Sequence, residues 1–229
     1  DVWNMDFSAP PILTMIKKEN KFIDVVVAVS KLGKTYVFDR VSGETLFDIR
    51  YERAPVSNIP GERTSPYQIN SALPEKICRN KFNKDDITQN AKNSEKISSL
   101  LSNYTSGFPT PPQLEKNNII MGNCVRWAGA SIDTKENVMY ISSDQIVDVV
   151  KIFKDPSHVN LFSSVKEQFL DDDGFPAVKP PWGKITAMNL NTGKIIWQVP
   201  FGDFPNSNKM YSKPTGDYNR SGLTATRGN

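Results

Sequence analysis

Few side chains in this chain of 229 residues could do chemistry by themselves, and their types and spacing exclude more than they propose. There is one histidine, His158, in the turn-like stretch Asp155-Pro156-Ser157-His158. A Ser-His-Asp triad or a multi-histidine metal site would have to be built around that one residue, and neither is expected. The two cysteines, Cys78 and Cys124, do not have a CxxC spacing, so a zinc site is not expected. They read either as a disulfide of an oxidising compartment or as two separate buried thiols. Lys31 lies in a turn and, taken alone, reads as a solvated lysine. Trp127 reads as a core or docking aromatic.

The elements that must position these residues are mostly strands. Residues 22–29 (Phe-Ile-Asp-Val-Val-Val-Ala-Val) read as a buried strand, and 34–39 alternate polar and apolar side chains. Lys31-Leu32-Gly33 between them predicts a hairpin turn. Further strands are predicted at 119–121, 127–132, 137–142, 184–189 and 194–199. Short strands punctuated by Gly, Asn and Pro predict an all-β fold. Two stretches read as insertions. One, over 75–110, is polar and partly helical, with a helix expected over 84–103. Asp85 or Asp86 would cap that helix, and Ile97, Leu100 and Leu101 would form its apolar face. The other, 151–181, reads as a long inter-strand loop.

Residues 37–47 and 187–197 align without a gap, 150 positions apart (187 − 37 = 150). Each has a small apolar start, an Asp or Asn in third place, Ser/Thr-Gly at the turn and an aromatic at the end. Gly43 and Gly193 suit the positive φ of a bulged hairpin turn. Asp39 and Asn189 suit hydrogen bonds to amides near that turn. Phe47 and Trp197 would then dock against a neighbouring sheet. A motif that closes one sheet and docks it on the next suits a radial array of sheets.

Composition fits a soluble globular domain, with 38% hydrophobic residues and a formal net charge of +3. The charges are scattered without a basic block, which argues against nucleic-acid binding. The densest apolar run, Val25–Val29, is far too short to span a bilayer. The chain begins with Asp1-Val2-Trp3 and no initiator Met, so it is expected to be a fragment of something longer.

Ala187 to Trp197 resembles the tryptophan-docking motif of the eight-bladed PQQ-dependent (quinoprotein) dehydrogenases. Other segments are similar to the membrane-bound glucose dehydrogenase branch of that family. Asp1-Val2-Trp3-Asn4-Met5-Asp6 resembles its D-V-W-D-M-D, and Tyr36-Val37-Phe38-Asp39-Arg40 its Y-V-F-D-R. Pro60 to Pro66 is similar to P-G-E-x-T-S-P, and Phe108 to Pro112 to F-T-P-P with one extra residue. Pro180-Pro181-Trp182-Gly183 is similar to P-P-W-G, and Thr215 to Asn219 to T-G-T-x-N. These matches keep the family's order from end to end, with only about 80–105 unmatched. The resemblance implies part of one β-propeller domain over 1–229, with about three to four four-stranded antiparallel blades.

The resemblance also implies chemistry. The family passes hydride from a sugar or alcohol to pyrroloquinoline quinone (PQQ). A carboxylate serves as general base and a divalent cation, usually calcium, as Lewis acid. The family's base falls on Asn4, and an amide does not accept a proton near neutral pH. Asn4 is left as a hydrogen-bond donor to substrate or a metal ligand. Asp6, two residues on and on the same face of an extended strand, either supplies the carboxylate or satisfies backbone amides. Lys31 falls where the family's quinone-contacting lysine lies. Arg126-Trp127-Ala128-Gly129-Ala130 resembles N-W-G-G-A, which places Trp127 beside the cofactor and makes Arg126 a departure. Asn219 matches an asparagine on the cofactor face. A quinone or cytochrome electron acceptor, a periplasmic location and membrane association only through regions outside this chain are further implications. The alternative is a catalytically inactive propeller that serves as a binding or assembly scaffold.

Overall fold

The computed structural model describes residues 2–3, 6–88, 94–121, 123–158 and 161–226. Its elements in chain order are β1 (Ile12–Lys18), β2 (Lys21–Val29), β3 (Thr35–Asp39), β4 (Tyr51–Arg53), β5 (Tyr67–Ile69) and α1 (Ser94–Leu101). There follow β6 (Thr105–Ser106), β7 (Asn117–Ile120), β8 (Ala130–Asp133), β9 (Val138–Asp144), β10 (Asp148–Lys154), β11 (Phe162–Gln168), β12 (Gly183–Asn189) and β13 (Lys194–Pro200). The fold is all-β, as the sequence predicts, and its sheets are those of a partial propeller.

The first sheet has the order β1-β2-β3, antiparallel, with a single bridge from Phe38 to Thr45 in the place of a fourth strand. Another sheet has the order β13-β12-β9-β8, also antiparallel throughout. In β2, Val25, Val27 and Val29 are buried while their neighbours are not, the period-2 signature of a strand covered on one face. That face meets the other sheet. Ile16, Val25, Val27 and Val37 share one core with Met139, Ile141 and Met188, at roughly 1.5–3 kcal/mol per fully buried side chain.

The repeated turns form as their residues dictate. Asp39 Oδ1 accepts the amides of Val41 and Ser42, both at 2.8 Å. Asn189 Oδ1 accepts those of Asn191 and Thr192 at 2.9 and 3.1 Å. Gly43 and Gly193 have φ of 75° and 70°. The two aromatics part company. Phe47 docks on the other sheet: a Cβ added at Gly193 would lie 2.9 Å from its Cε1. Trp197 instead packs on Tyr140 of its own sheet, 6.0 Å between centroids, and is 42% exposed.

The remaining large sheet, β11-β10-β7-β6, takes β6 and β11 from the two insertions and β7 from the strand predicted near 119–121, and its β6–β7 pair is parallel. It is therefore not a plain antiparallel meander. It also corrects the expectation of a loop over 151–181, because β10 and β11 pair along seven residues each. β11 is an edge strand with the polar sequence Phe-Ser-Ser-Val-Lys-Glu-Gln, mostly exposed, so hydropathy does not reveal it. The helix expected over 84–103 is shorter. A 3-10 turn spans Lys84–Asp86, where the Asp86 carboxylate accepts the Asn83 amide at 3.1 Å, and α1 begins at Ser94. Ile97 is buried in the core beneath this sheet, and Leu100 and Leu101 pack against it. Trp182, fully buried, is the hub of that core, with Phe204 at 5.1 Å and Tyr211 at 5.3 Å edge-on.

Candidate cofactor cleft

The site is built around the turn between β2 and β3. The Gly33 amide donates to Ser30 O at 2.8 Å and the Ser30 amide to Lys34 O at 2.9 Å, which closes the turn. Lys31 is tied down on both sides of its peptide. Its amide donates to Asp6 O at 3.0 Å, and its carbonyl accepts the Cys124 amide at 2.8 Å. Its Nζ lies 2.8 Å from Asp6 Oδ1. The Asp6 carboxylate thus faces the lysine. Of the two open readings of the cysteines, the structure has the disulfide, Cys78–Cys124, across 46 positions of sequence.

Lys31, Asn123, Arg126, Trp127, Ala128 and Arg220 line one cleft of about 150 Å³. Two of the residues singled out in the sequence, Lys31 and Trp127, therefore meet in space. Trp127 is 75% exposed, so it is not a core tryptophan. Asn219 does not line the cleft. Its side chain accepts the Ser221 amide at 2.6 Å and closes a turn, while its own amide donates to Asp144 Oδ1 at 2.8 Å. Asn4 lies outside the described residues. Its neighbour Trp3 is buried, with the ring edge-on to Phe108 at 5.4 Å and Nε1 donating to Thr110 O at 2.9 Å.

Sequence reasoning misses Asp144, Asn123 and Arg220. Asp144 ends β9, is 1% exposed, and holds Arg126 Nε 3.0 Å from its Oδ2. The alignment is that of an ion pair rather than a hydrogen bond. Burial pushes the Asp144 carboxyl up to about 6, with Asp217 adding to the rise and the Asn219 amide and Arg126 opposing it. A carboxyl raised in the folded state contributes stability that is fully present below its unfolded value of 3.8 and is lost as pH rises through about 6. Wild type is therefore expected to lose on the order of 2 kcal/mol, relative to Asp144→Asn, between pH 4 and pH 7. Urea unfolding of both proteins across that range checks this, and parallel pH profiles would refute it.

An exposed indole beside three cationic side chains suits a flat, anionic, aromatic ligand. Among the described residues, no group of three or more His, Cys, Asp or Glu is placed to hold a metal ion. No helix among them is long and apolar enough to cross a membrane.

The sheets place the chain in the class of β-propeller domains. Residues 1–229 match the family described as PQQ: glucose/ethanol/alcohol dehydrogenase, β-propeller domain, and the chain belongs to that family. It is 24% identical to a quinate/shikimate dehydrogenase (quinone) of Acinetobacter baylyi, over 100% of this chain and 32% of that protein. It is also 24% identical to the quinoprotein glucose dehydrogenase of Escherichia coli K12, over 88% of this chain and 28% of that protein. A quinohemoprotein alcohol dehydrogenase of Pseudomonas putida HK5 superposes with a TM-score of 0.47 at 14% identity, over 88% of this chain and 26% of that one. The chain thus spans about a third of the length of the curated relatives it matches.

Proposed function

We propose that this chain is part of a PQQ-dependent dehydrogenase that oxidises a sugar, polyol or alcohol. The observation that carries the reading is the cleft in which Trp127 lies beside Lys31, Arg126 and Arg220. PQQ, when bound, would supply an o-quinone as the hydride acceptor, and Trp127, Lys31, Arg126 and Arg220 would hold it. Trp127 offers an apolar face to the planar ring system. Lys31 donates hydrogen bonds to quinone or carboxylate oxygens and, as a cation, favours charge that develops there. Asp6 orients Lys31 by its ion pair. It is also the carboxylate nearest in sequence to the position the family reserves for its base, so it is the first candidate to take the hydroxyl proton.

Asn4 in this reading donates a hydrogen bond to the substrate hydroxyl or ligates the cation, and its amide does not act as a base. Calcium is the cation the family implies. Among the described residues no acidic cluster is gathered for it. The Cys78–Cys124 disulfide supports an oxidising compartment such as the periplasm. The electron acceptor would be a quinone or cytochrome, with membrane association through regions outside this chain. The second reading, an inactive propeller used as a scaffold, is favoured by Asn4.

The test is a dye-linked dehydrogenase assay on the full-length protein supplied with PQQ and calcium, across aldoses, polyols and alcohols. Asn4→Asp is expected to raise turnover by roughly 10²- to 10⁴-fold, the usual worth of a positioned general base. Equal turnover by wild type and variant would assign the proton to another group, with Asp6 examined next. No PQQ bound and no turnover by either would establish the scaffold reading.

A further inference from the structure

Arg126 stands where the family pattern has a different polar residue, and a buried carboxylate stands beside it. Nothing local in the chain requires this pair. Arg126 and Asp144 are 18 positions apart, on the tract before β8 and at the end of β9 (144 − 126 = 18). The carboxylate is 1% exposed and divides its two oxygens between two segments that border the cleft. Oδ2 faces Arg126 Nε at 3.0 Å, and Oδ1 accepts the Asn219 amide at 2.8 Å. Arg126 lines the cleft, and so does Arg220, next in sequence to Asn219. The Asp144 amide in turn donates to Cys124 O at 2.8 Å, which ties it to the segment that holds Lys31.

We infer that Asp144 is a positioning residue for the cleft, drawing Arg126 toward it by an ion pair on the Nε side so that the guanidinium's terminal N–H groups are left for an anionic cleft ligand. Lys31, Arg126 and Arg220 all border this small volume; Lys31 has Asp6 as its counter-ion, and Arg126 without one would be repelled by its cationic neighbours. A buried carboxylate behind Arg126 removes part of that repulsion and costs Arg126 its rotational freedom in advance of binding. A guanidinium whose counter-ion lies on its Nε side keeps its terminal N–H groups as a fork suited to a carboxylate. Asp144 thereby acts on bound ligand only through Arg126 and through the Asn219–Arg220 backbone. The inference rests on the cleft being the PQQ site.

The experiment measures PQQ affinity of the full-length protein by quenching of tryptophan fluorescence, with Trp127→Phe to assign the signal. Wild type, Asp144→Asn, Arg126→Asn and the double variant are compared, and thermal unfolding confirms that each is folded. Asp144→Asn keeps an oxygen for the Asn219 amide and removes the charge. It is expected to weaken PQQ binding about tenfold in the wild-type background. In the Arg126→Asn background, the same change is expected to have almost no effect on affinity, as coupled residues require. An equal loss in both backgrounds, or none in wild type, overturns the positioning role while leaving the cofactor reading intact. Failure of wild type to bind PQQ at all overturns both. The neutral double variant guards against misfolding, because it leaves no unpaired buried charge.

Discussion

Replacing Cys78 and Cys124 together by alanine is expected to cost about 4 kcal/mol of stability, as loop-closure entropy gives for a crosslink spanning 46 positions. The loss is not expected to remain a matter of stability alone. The disulfide staples both flanks of the Lys31 turn. The Cys124 amide holds Lys31 O at 2.8 Å, and the Ile77 amide, one residue before Cys78, holds Gly33 O at 3.0 Å. Between them, Gly33 sits so close that a Cβ there would lie 2.6 Å from Cys124 Sγ. Freed from the crosslink, segments 77–78 and 124–127 can separate from the turn, and Lys31 and Trp127 then lose their fixed relation. The measurement is urea unfolding of the full-length protein with and without reductant, wild type against the double alanine variant, with PQQ affinity in parallel. Wild type in reductant should approach the variant in both quantities. A loss below about 1 kcal/mol with unchanged affinity would mean that backbone hydrogen bonds alone hold the turn, and the staple would have no part in it.

What the sequence revealed and what it hid follow one physical division. The repeated Asp/Asn-to-Gly turns were legible because every interaction in them lies within five residues, and side chain and backbone agree on one geometry. The β2 strand was legible because one face is covered and its alternation survives in the residue types. β11 was hidden because an edge strand is held by its backbone ladder to β10, which leaves no mark on side-chain hydropathy. β1, paired along its length with β2, went unread for a related reason: only Ile16 of its side chains is fully buried. The helix is shorter than its polar composition over 84–103 suggests because the chain leaves helical geometry after the turn at Lys84–Asp86, where Ile87 bridges to Val178, and α1 itself buries only Ile97. In the cleft, Lys31 and Trp127 could be picked out by family spacing. The disulfide and the Arg126–Asp144 pair could not, since each joins residues of different segments whose meeting is decided by how the sheets pack.

The second large effect is expected at the crossing of Gly183 and Gly216, which sets the loop carrying Asn219 and Arg220 over the cleft. The two backbones touch. A Cβ on Gly216 would lie 1.9 Å from Gly183 O, and one on Gly183 would lie 1.8 Å from Asp217 O. The obstruction is main chain on both sides, so no side chain can turn away to relieve it. The surrounding hydrogen bonds leave little slack: the Trp182 amide donates to Thr215 O at 2.7 Å, and the Asp217 amide to Phe201 O at 2.8 Å. Gly216 also has a φ of 66°, where any other residue carries a backbone penalty of about 1–2 kcal/mol. Gly216→Ala is therefore expected to cost about 4 kcal/mol or more, at the severe end for single substitutions. Gly174→Ala provides the reference, with a φ of 83° and nothing within 4 Å of its added Cβ. It should cost only the backbone penalty, so the difference between the two in urea unfolding isolates the close approach. In any Gly216→Ala protein that folds, the 217–220 segment must have shifted from β12, and Arg220 with it, so PQQ affinity should fall as well. Equal costs for the two alanines would mean that the crossing gives way cheaply. The cleft wall formed by Arg220 would then be held by the Asp144–Asn219 contact and not by the glycine pair.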